Sequence, residues 1–155
     1  MGLEVPTADQ IGGLTTTLNY SEAEFTYWLA GKLKKLGFDS EHEVYAAPKF
    51  PGFRVGNEAD AKRMAGSRAN PDGRPIDLLA WRGGLTLVIE CKVRGVEHGL
   101  GQVLLNGDIF KRSRLSSDQE MVMVLAAPDY VWHPRLPDLT KAVGIVPWVF
   151  WTGKQ

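Results

Sequence analysis

The sequence contains little cysteine, no long apolar run and no excess of charge of either sign. Cys91 is the only cysteine among 155 residues, which excludes an internal disulfide and suits a reducing cytosol. No apolar stretch is long enough to cross a bilayer, and the opening residues lack the basic-then-apolar layout of a signal peptide. Basic and acidic residues number 18 each, which argues against a strongly basic nucleic-acid coat. We therefore expect a cytoplasmic globular protein with no membrane partner.

Hydrophobic periodicity predicts an α/β fold in one domain. Residues 21–36 carry apolar side chains at helical spacing, and Gly37 is expected to end this helix. Further helices are predicted at 100–112 and 136–143, and strands at 41–46, 121–126 and 145–151, with a hairpin at 74–93. This order predicts a mixed β-sheet sandwiched by helices over residues 21–155. Residues 1–20 show little periodicity, and we interpret them as an N-terminal arm.

The stretch RPIDLLAWRGGLTLVIECKV, residues 74–93, predicts a β-hairpin with charged residues inside an apolar sequence. Gly83-Gly84 is a two-residue turn of the kind that tolerates positive φ. Counting back along both strands from this turn places Asp77 directly opposite Glu90, with their Cβ atoms about 4.5–5.5 Å apart. Lys92 lies two residues beyond Glu90 and shares that face.

The opposite face of the hairpin is wholly apolar and is expected to be core. It consists of Ile76, Leu78, Ala80, Leu85, Leu87, Ile89, Cys91 and Val93. Two carboxylates opposed on a sheet repel each other unless a cation lies between them. Lys92 supplies part of that charge, and a divalent metal would supply more. The alternative is a surface charge cluster in which Lys92 is a simple counter-ion.

Asp77, followed by Glu90-Cys91-Lys92 on the next strand, resembles the PD-(D/E)xK nuclease superfamily, which has the restriction-endonuclease-like fold. Ile76 stands where a proline is common in this motif. The preceding helix, which contains glutamate and ends in Leu-Gly-Phe at 36–38, is also similar to the family. The stretch GLGQVLLN, residues 99–106, resembles the helix that follows the motif in repair, recombination and small viral nucleases. The resemblance implies a restriction-endonuclease-like sheet and a prokaryotic or viral origin.

Such families often add a carboxylate from the first helix, and two glutamates compete for this position. Glu22 lies three residues before Phe25 and seven before Leu29, which puts it on the helix face directed at the sheet. Glu24 points toward solvent and would complete a capping box with Ser21. We expect Glu22 to serve the site. The alternative for Glu22 is an exposed first-turn acid favoured by the helix dipole.

The resemblance implies a Mg²⁺- or Mn²⁺-dependent deoxyribonuclease that hydrolyses phosphodiester bonds. It would select its substrate by the structure of the DNA. Asp77, Glu90 and the backbone carbonyl of Cys91 would hold the metal, because hard oxygen ligands suit these ions. Glu22 would bind a second metal or an outer-shell water. Lys92 would orient or help deprotonate the attacking water, or stabilise the transition state. Gln102 would hold the phosphate or the water, and a plain surface glutamine is its alternative.

A basic insertion at residues 48–74 is the expected contact with DNA. Six basic side chains stand there against three acidic ones, a local excess that could meet a phosphate backbone. The alternative is a solvated loop whose charges have no binding role. The basic residues are Lys49, Arg54, Lys62, Arg63, Arg68 and Arg74.

Many members of the resembled family act as homodimers, and the last strand offers aromatic residues for such an interface. Trp148, Phe150 and Trp151 could form the interface or pack in the core. Two other functions stay open, a non-catalytic nucleic-acid-binding or assembly module on the same fold and an RNA-directed nuclease.

Overall fold

Five strands form one mixed β-sheet in the computed structural model, which describes residues 4–14, 21–44, 75–111 and 120–153. The strands lie side by side in chain order; the first two pairings are antiparallel and the last two are parallel. The strands are β1 (Asp39–Val44), β2 (Ile76–Arg82), β3 (Leu85–Cys91), β4 (Glu120–Pro128) and β5 (Val146–Phe150). The helices are α1 (Ala8–Ile11), α2 (Glu22–Lys35), α3 (Val96–Lys111) and α4 (Leu136–Ala142), with a 3₁₀ turn at Asp129–Val131. The predicted α/β class and mixed sheet are confirmed.

The β2–β3 hairpin has the predicted register. Gly83 takes a φ of 58° in the turn, a left-handed conformation that glycine adopts without a Cβ clash. From the turn, the antiparallel pairing runs regularly to Leu78 and Ile89. Asp77 and Glu90 are the next residues along the two strands, and their carboxyl groups meet at the open end of the hairpin.

Helices cover both faces of the sheet. α1 and α2 pack on one face, where the apolar positions of α2 meet alternate residues of β2 and β3. α3 and α4 pack on the other face. Fully burying one large apolar side chain stabilises the fold by about 1.5–3 kcal/mol, so these two layers hold their helices firmly against the sheet. The buried residues on the α2 side include Phe25, Leu29, Leu33, Leu78, Ala80, Leu87 and Ile89.

Helix α2 begins and ends where the local sequence predicts. Ser21 Oγ accepts a hydrogen bond from the Glu24 backbone N–H at 3.1 Å, which is one half of the predicted capping box. After Lys35 the chain turns through Gly37, whose φ is 90°. Glu22 is consequently the first residue of the helix, at its sheet-facing N-terminal end.

Regular strand alternation stops at Asp77. Glu43 of β1 has a φ of 50°, and it occupies the position that faces Asp77 in the β1–β2 register. Ile76, expected on the same face as Leu78, instead packs with Val44 in the apolar cluster on the α3 side. The strands therefore depart from regular pleating where Glu43 and Asp77 lie side by side.

Several element boundaries differ from the sequence prediction; β4, for example, runs to Pro128 rather than to residue 126. β1 begins at Asp39, two residues earlier than predicted. α3 begins at Val96 rather than Leu100. The intervening residues Glu97 to Gly99 carry no apolar periodicity, and the buried side chain of Val96 anchors this first turn through tertiary contacts.

The described part of the predicted arm is folded against the sheet. Thr7 caps α1 in a capping box, and Ile11 is buried beneath it. Trp148 Nε1 donates to the Pro6 carbonyl oxygen at 3.0 Å, and Leu14 N–H donates to the carbonyl oxygen of Trp151 at 2.9 Å. These contacts join residues far apart in sequence, so local periodicity does not reveal them.

The aromatic residues of the last strand divide between core and surface. Trp148 and Phe150 are almost fully buried, which confirms core packing and excludes these two from a dimer interface. Trp151 is 60% exposed. Among the described residues, no helix has both the length and the apolar character of a membrane span. The predicted insertion at 48–74, with its six basic side chains, lies outside the described residues.

Candidate metal centre

A cavity of about 450 Å³ opens at the end of the hairpin that carries Asp77 and Glu90. Both helical layers contribute to it, since α2 supplies Glu22 and α3 supplies Gln102 and Asn106. The cavity therefore lies where the elements on the two faces of the sheet meet around the hairpin. Its remaining lining comes from α2 (Ala23, Thr26, Tyr27), β1 (His42, Glu43), and the hairpin and its flanks (Pro75, Lys92).

The two hairpin carboxyl groups are hydrogen-bonded to each other. Asp77 Oδ2 also accepts a hydrogen bond from the Cys91 backbone N–H at 3.0 Å, which stabilises Asp77 as the ionised partner. Glu90 is only 5% exposed. Burial, followed by the negative charge of Asp77, raises the pKa of Glu90 to about 9, and burial also raises the pKa of Asp77. Near neutral pH and without a metal, the Glu90 carboxyl therefore stays protonated, and its O–H donates a hydrogen bond to the Asp77 carboxylate.

Glu22 brings a third carboxylate to the same point. Glu22, Asp77 and Glu90 each offer one oxygen, and these oxygens all lie within 4.8 Å of one another. Lys92 Nζ lies 3.5 Å from Glu22 Oε1, and the lysine side chain is largely buried whereas the glutamate is half exposed. Three of the predicted site residues and the predicted lysine are therefore brought together, although they come from α2, β2 and β3.

Glu24, the competing glutamate, is exposed and takes part in the helix cap through its backbone. The structure places Glu22 in the cluster, as the helix-face argument predicted.

Asn106 contacts the cluster and was missed in the sequence. Its side-chain Nδ2 donates to Glu90 Oε2 at 3.4 Å, and the residue is buried. The available signal was its spacing, because Asn106 follows Gln102 by four residues and so lies on the same helix face. Gln102 lines the cavity as well, at its half-buried position on α3.

The Cys91 main chain faces Asp77. Because the N–H and C=O of one strand residue point to the same side, the Cys91 carbonyl is directed toward β2, as its N–H is. The thiol itself is fully buried, and burial raises its pKa, so the sulfur stays protonated and takes no part in metal binding.

Gly99 allows α3 to approach the lysine. A Cβ atom at this position would stand 2.6 Å from Lys92 Cγ and 2.8 Å from Leu125 Cδ1, both closer than real contacts allow. Gly101, two residues later, has no such neighbour. The first glycine of the GLGQ stretch is consequently a packing requirement at the cavity, whereas the second is not.

The donor set fits a hard divalent cation. Carboxylate oxygens are the side-chain ligands that Mg²⁺ and Mn²⁺ prefer, and three of them converge here beside one ammonium. Burial, followed by the charge of Asp77, raises the pKa of Glu90, so the protein alone disfavours the ionised form of this carboxyl. A divalent cation would offset the negative charge of the ionised form and displace the proton.

Comparison with family models, curated proteins and solved structures finds no match to this chain.

Proposed function

We propose that this protein is a divalent-metal-dependent deoxyribonuclease with a restriction-endonuclease-like fold. One observation carries the proposal: Glu22, Asp77 and Glu90 converge from three elements on one cavity, with Lys92 beside them. A surface charge cluster needs no such convergence, and it would not bury Glu90 or raise its pKa. The sequence resemblance to PD-(D/E)xK nucleases names the same four residues.

Asp77 and Glu90 would hold the metal, with Glu22 and the Cys91 carbonyl as further oxygen ligands. When bound, Mg²⁺ or Mn²⁺ supplies Lewis-acid polarisation of the scissile phosphate and lowers the pKa of bound water. Asn106 keeps the Glu90 carboxylate oriented through its hydrogen bond. Because a ligating carboxylate must be ionised, Glu90 would have to lose its proton to hold the cation.

Lys92 and Gln102 would act on the reacting groups. The Lys92 ammonium lies beside the carboxylates, where it can orient the attacking water and stabilise the negative charge that develops on the phosphate. Gln102 lines the same cavity and offers an amide that can hold a phosphate oxygen or a water.

DNA is the proposed substrate, in a structure-directed repair, recombination or viral DNA-processing reaction in the cytoplasm. The basic residues of the 48–74 insertion are proposed as its backbone contacts. A homodimer would supply two active sites for cutting both strands. Its interface would not involve Trp148 and Phe150, which belong to the core.

The test is cleavage of linear, nicked, mismatched, branched and single-stranded DNA, with RNA in parallel, in the presence of Mg²⁺. We expect wild-type protein to cleave at least one DNA form and Asp77→Ala to lose about 10²-fold or more of that activity, as removal of one group that stabilises a transition state typically does. Glu22→Gln should also lose activity. Glu24→Gln is its matched control, because it changes a glutamate of the same helical turn that lies outside the cluster.

Equal activity of wild-type and Asp77→Ala protein would end the assignment. Cleavage of RNA alone would redirect it to the RNA-directed nuclease, and metal-independent DNA binding without cleavage would favour a non-catalytic module.

A further inference from the structure

Two aromatic rings lie against each other at the wall of the carboxylate cavity. Tyr27 of α2 and His42 of β1 have ring centroids 4.4 Å apart and an interplanar angle of 34°. Both residues line the cavity that contains Glu22, Asp77 and Glu90. Tyr27 is 64% exposed, so most of its surface is open to a ligand although one side contacts the histidine ring.

The ring pair lies in acidic surroundings. The cavity is lined by several carboxylates, which repel the phosphates of a nucleic acid wherever no cation offsets them. Stacking on an aromatic ring does not depend on charge, and every base has a π-face that can use it. The ring pair therefore offers binding energy that does not depend on neutralising the carboxylates.

Geometry limits which bases can use the rings. In a duplex, bases are stacked on their neighbours and are not free to stack on a side chain. A base reaches an aromatic ring from a single strand, a frayed end or an extruded position. The cavity volume of about 450 Å³ is of the size that holds one small ligand, such as a single nucleotide unit.

We infer that the open side of Tyr27, whose other side contacts His42, stacks one unpaired nucleobase beside the phosphate to be cleaved, so that the substrate is single-stranded or unpaired at that nucleotide. This inference rests on the proposed function, and it names the form of nucleic acid that the same cavity takes.

The experiment measures binding, and it is independent of cleavage. A short fluorescently labelled single strand and the blunt duplex of the same sequence are titrated with the full chain. Ca²⁺ serves as the oxygen-seeking divalent ion, and gels verify that the DNA stays intact. Tyr27→Leu should weaken single-strand binding about 5- to 100-fold, the range that loss of one base–aromatic stack produces. Tyr27→Phe, which keeps the ring, should bind within about threefold of wild type.

Tyr130→Leu is the matched control, because Tyr130 is also an exposed tyrosine, 51% exposed, but does not line the cavity. It should leave the affinity unchanged. Unchanged binding in Tyr27→Leu, an equal loss for duplex and single strand, or absence of binding to either form would overturn the inference.

The two proposals fail separately. Metal-dependent cleavage with no effect of Tyr27→Leu on binding removes the stacking inference and keeps the nuclease. Tyrosine-dependent single-strand binding without cleavage by any metal-loaded protein removes the nuclease and keeps the stacking site.

Discussion

The Lys92 ammonium lies 3.5 Å from Glu22 Oε1, which joins strand β3 to the N-terminal turn of helix α2. One cation thus stands beside three carboxyl groups, since Asp77 and Glu90 share the same cluster. The remaining negative charge is reduced by a proton on Glu90. A divalent cation bound as proposed would compete with this proton, and that competition can be measured.

The metal-free protein should lose stability as the pH rises. The pKa of Glu90 is 4.5 in its ordinary state and about 9 in the folded protein. Below pH 4.5 both folded and unfolded chains hold this proton, and the contribution to stability is fully present. Between the two values only the folded chain holds it. The free energy of unfolding therefore falls with rising pH, by at most about 1.4 kcal/mol per pH unit, and this contribution is lost above the folded pKa.

Urea unfolding in the presence of a chelator, from about pH 5 to pH 8.5, measures this slope. Glu90→Gln, which cannot ionise, should show a flatter dependence and greater stability than wild type at the alkaline end. Glu24→Gln should keep the wild-type slope, since Glu24 is exposed and outside the cluster. Parallel curves for wild type and Glu90→Gln would contradict the burial of a protonated carboxyl.

Metal binding should release a proton. At neutral pH Glu90 must ionise to become a ligand, so binding of Mn²⁺ should release about one proton per ion. The affinity should rise up to about tenfold per pH unit below the pKa of Glu90. Calorimetric titration in two buffers with different ionisation enthalpies measures the proton count. A heat of binding that is the same in both buffers would show that no proton leaves, and Glu90→Ala is expected to abolish the binding itself.

Asn106 should tune the metal affinity without contacting the ion. Asn106→Leu removes the donor that holds Glu90 Oε2 and keeps a side chain of similar size. Loss of such a supporting hydrogen bond typically lowers metal affinity about 10- to 100-fold. Leu105→Ala, an exposed change on the same helix, is the control and should bind Mn²⁺ like wild type. Wild-type affinity in Asn106→Leu would mean that Glu90 is positioned by its other contacts.

The two glycines of the GLGQ stretch should respond in opposite ways to the same substitution. Gly99→Ala places a methyl group against Lys92 Cγ and Leu125 Cδ1, so one of them or the helix must move. We expect a loss of about 1–3 kcal/mol of stability together with reduced cleavage. Gly101→Ala has open space and should stabilise the exposed helix position by about 0.5–1 kcal/mol. Thermal unfolding and cleavage rates of both variants check this; equal effects would mean that α3 does not pack closely on the lysine.

Local sequence patterns predicted the features that depend on near neighbours. The Gly83-Gly84 turn and the alternation around it set the hairpin register as far as Leu78 and Ile89, and extending it by one step predicted that Asp77 and Glu90 meet. Helical spacing placed Glu22 on the buried side of its helix and gave Glu24 to the cap. The sequence carries both signals because turn geometry and side-chain periodicity act over a few residues.

Other features depend on contacts between residues far apart in the chain. No local sequence pattern predicts three such contacts. They are the hydrogen bond from Asn106 to Glu90, the ring contact between Tyr27 and His42, and the packing of residues 4–14 on β5. The raised pKa of Glu90 likewise requires knowing which groups surround it.

The sequence by itself thus predicted the α/β class with its mixed sheet, the hairpin register near the turn and the two acidic residues that meet at its end. Only the tertiary structure decided that Asn106 also reaches those acids and how deeply Glu90 is buried, because packing against both faces of the sheet sets these distances.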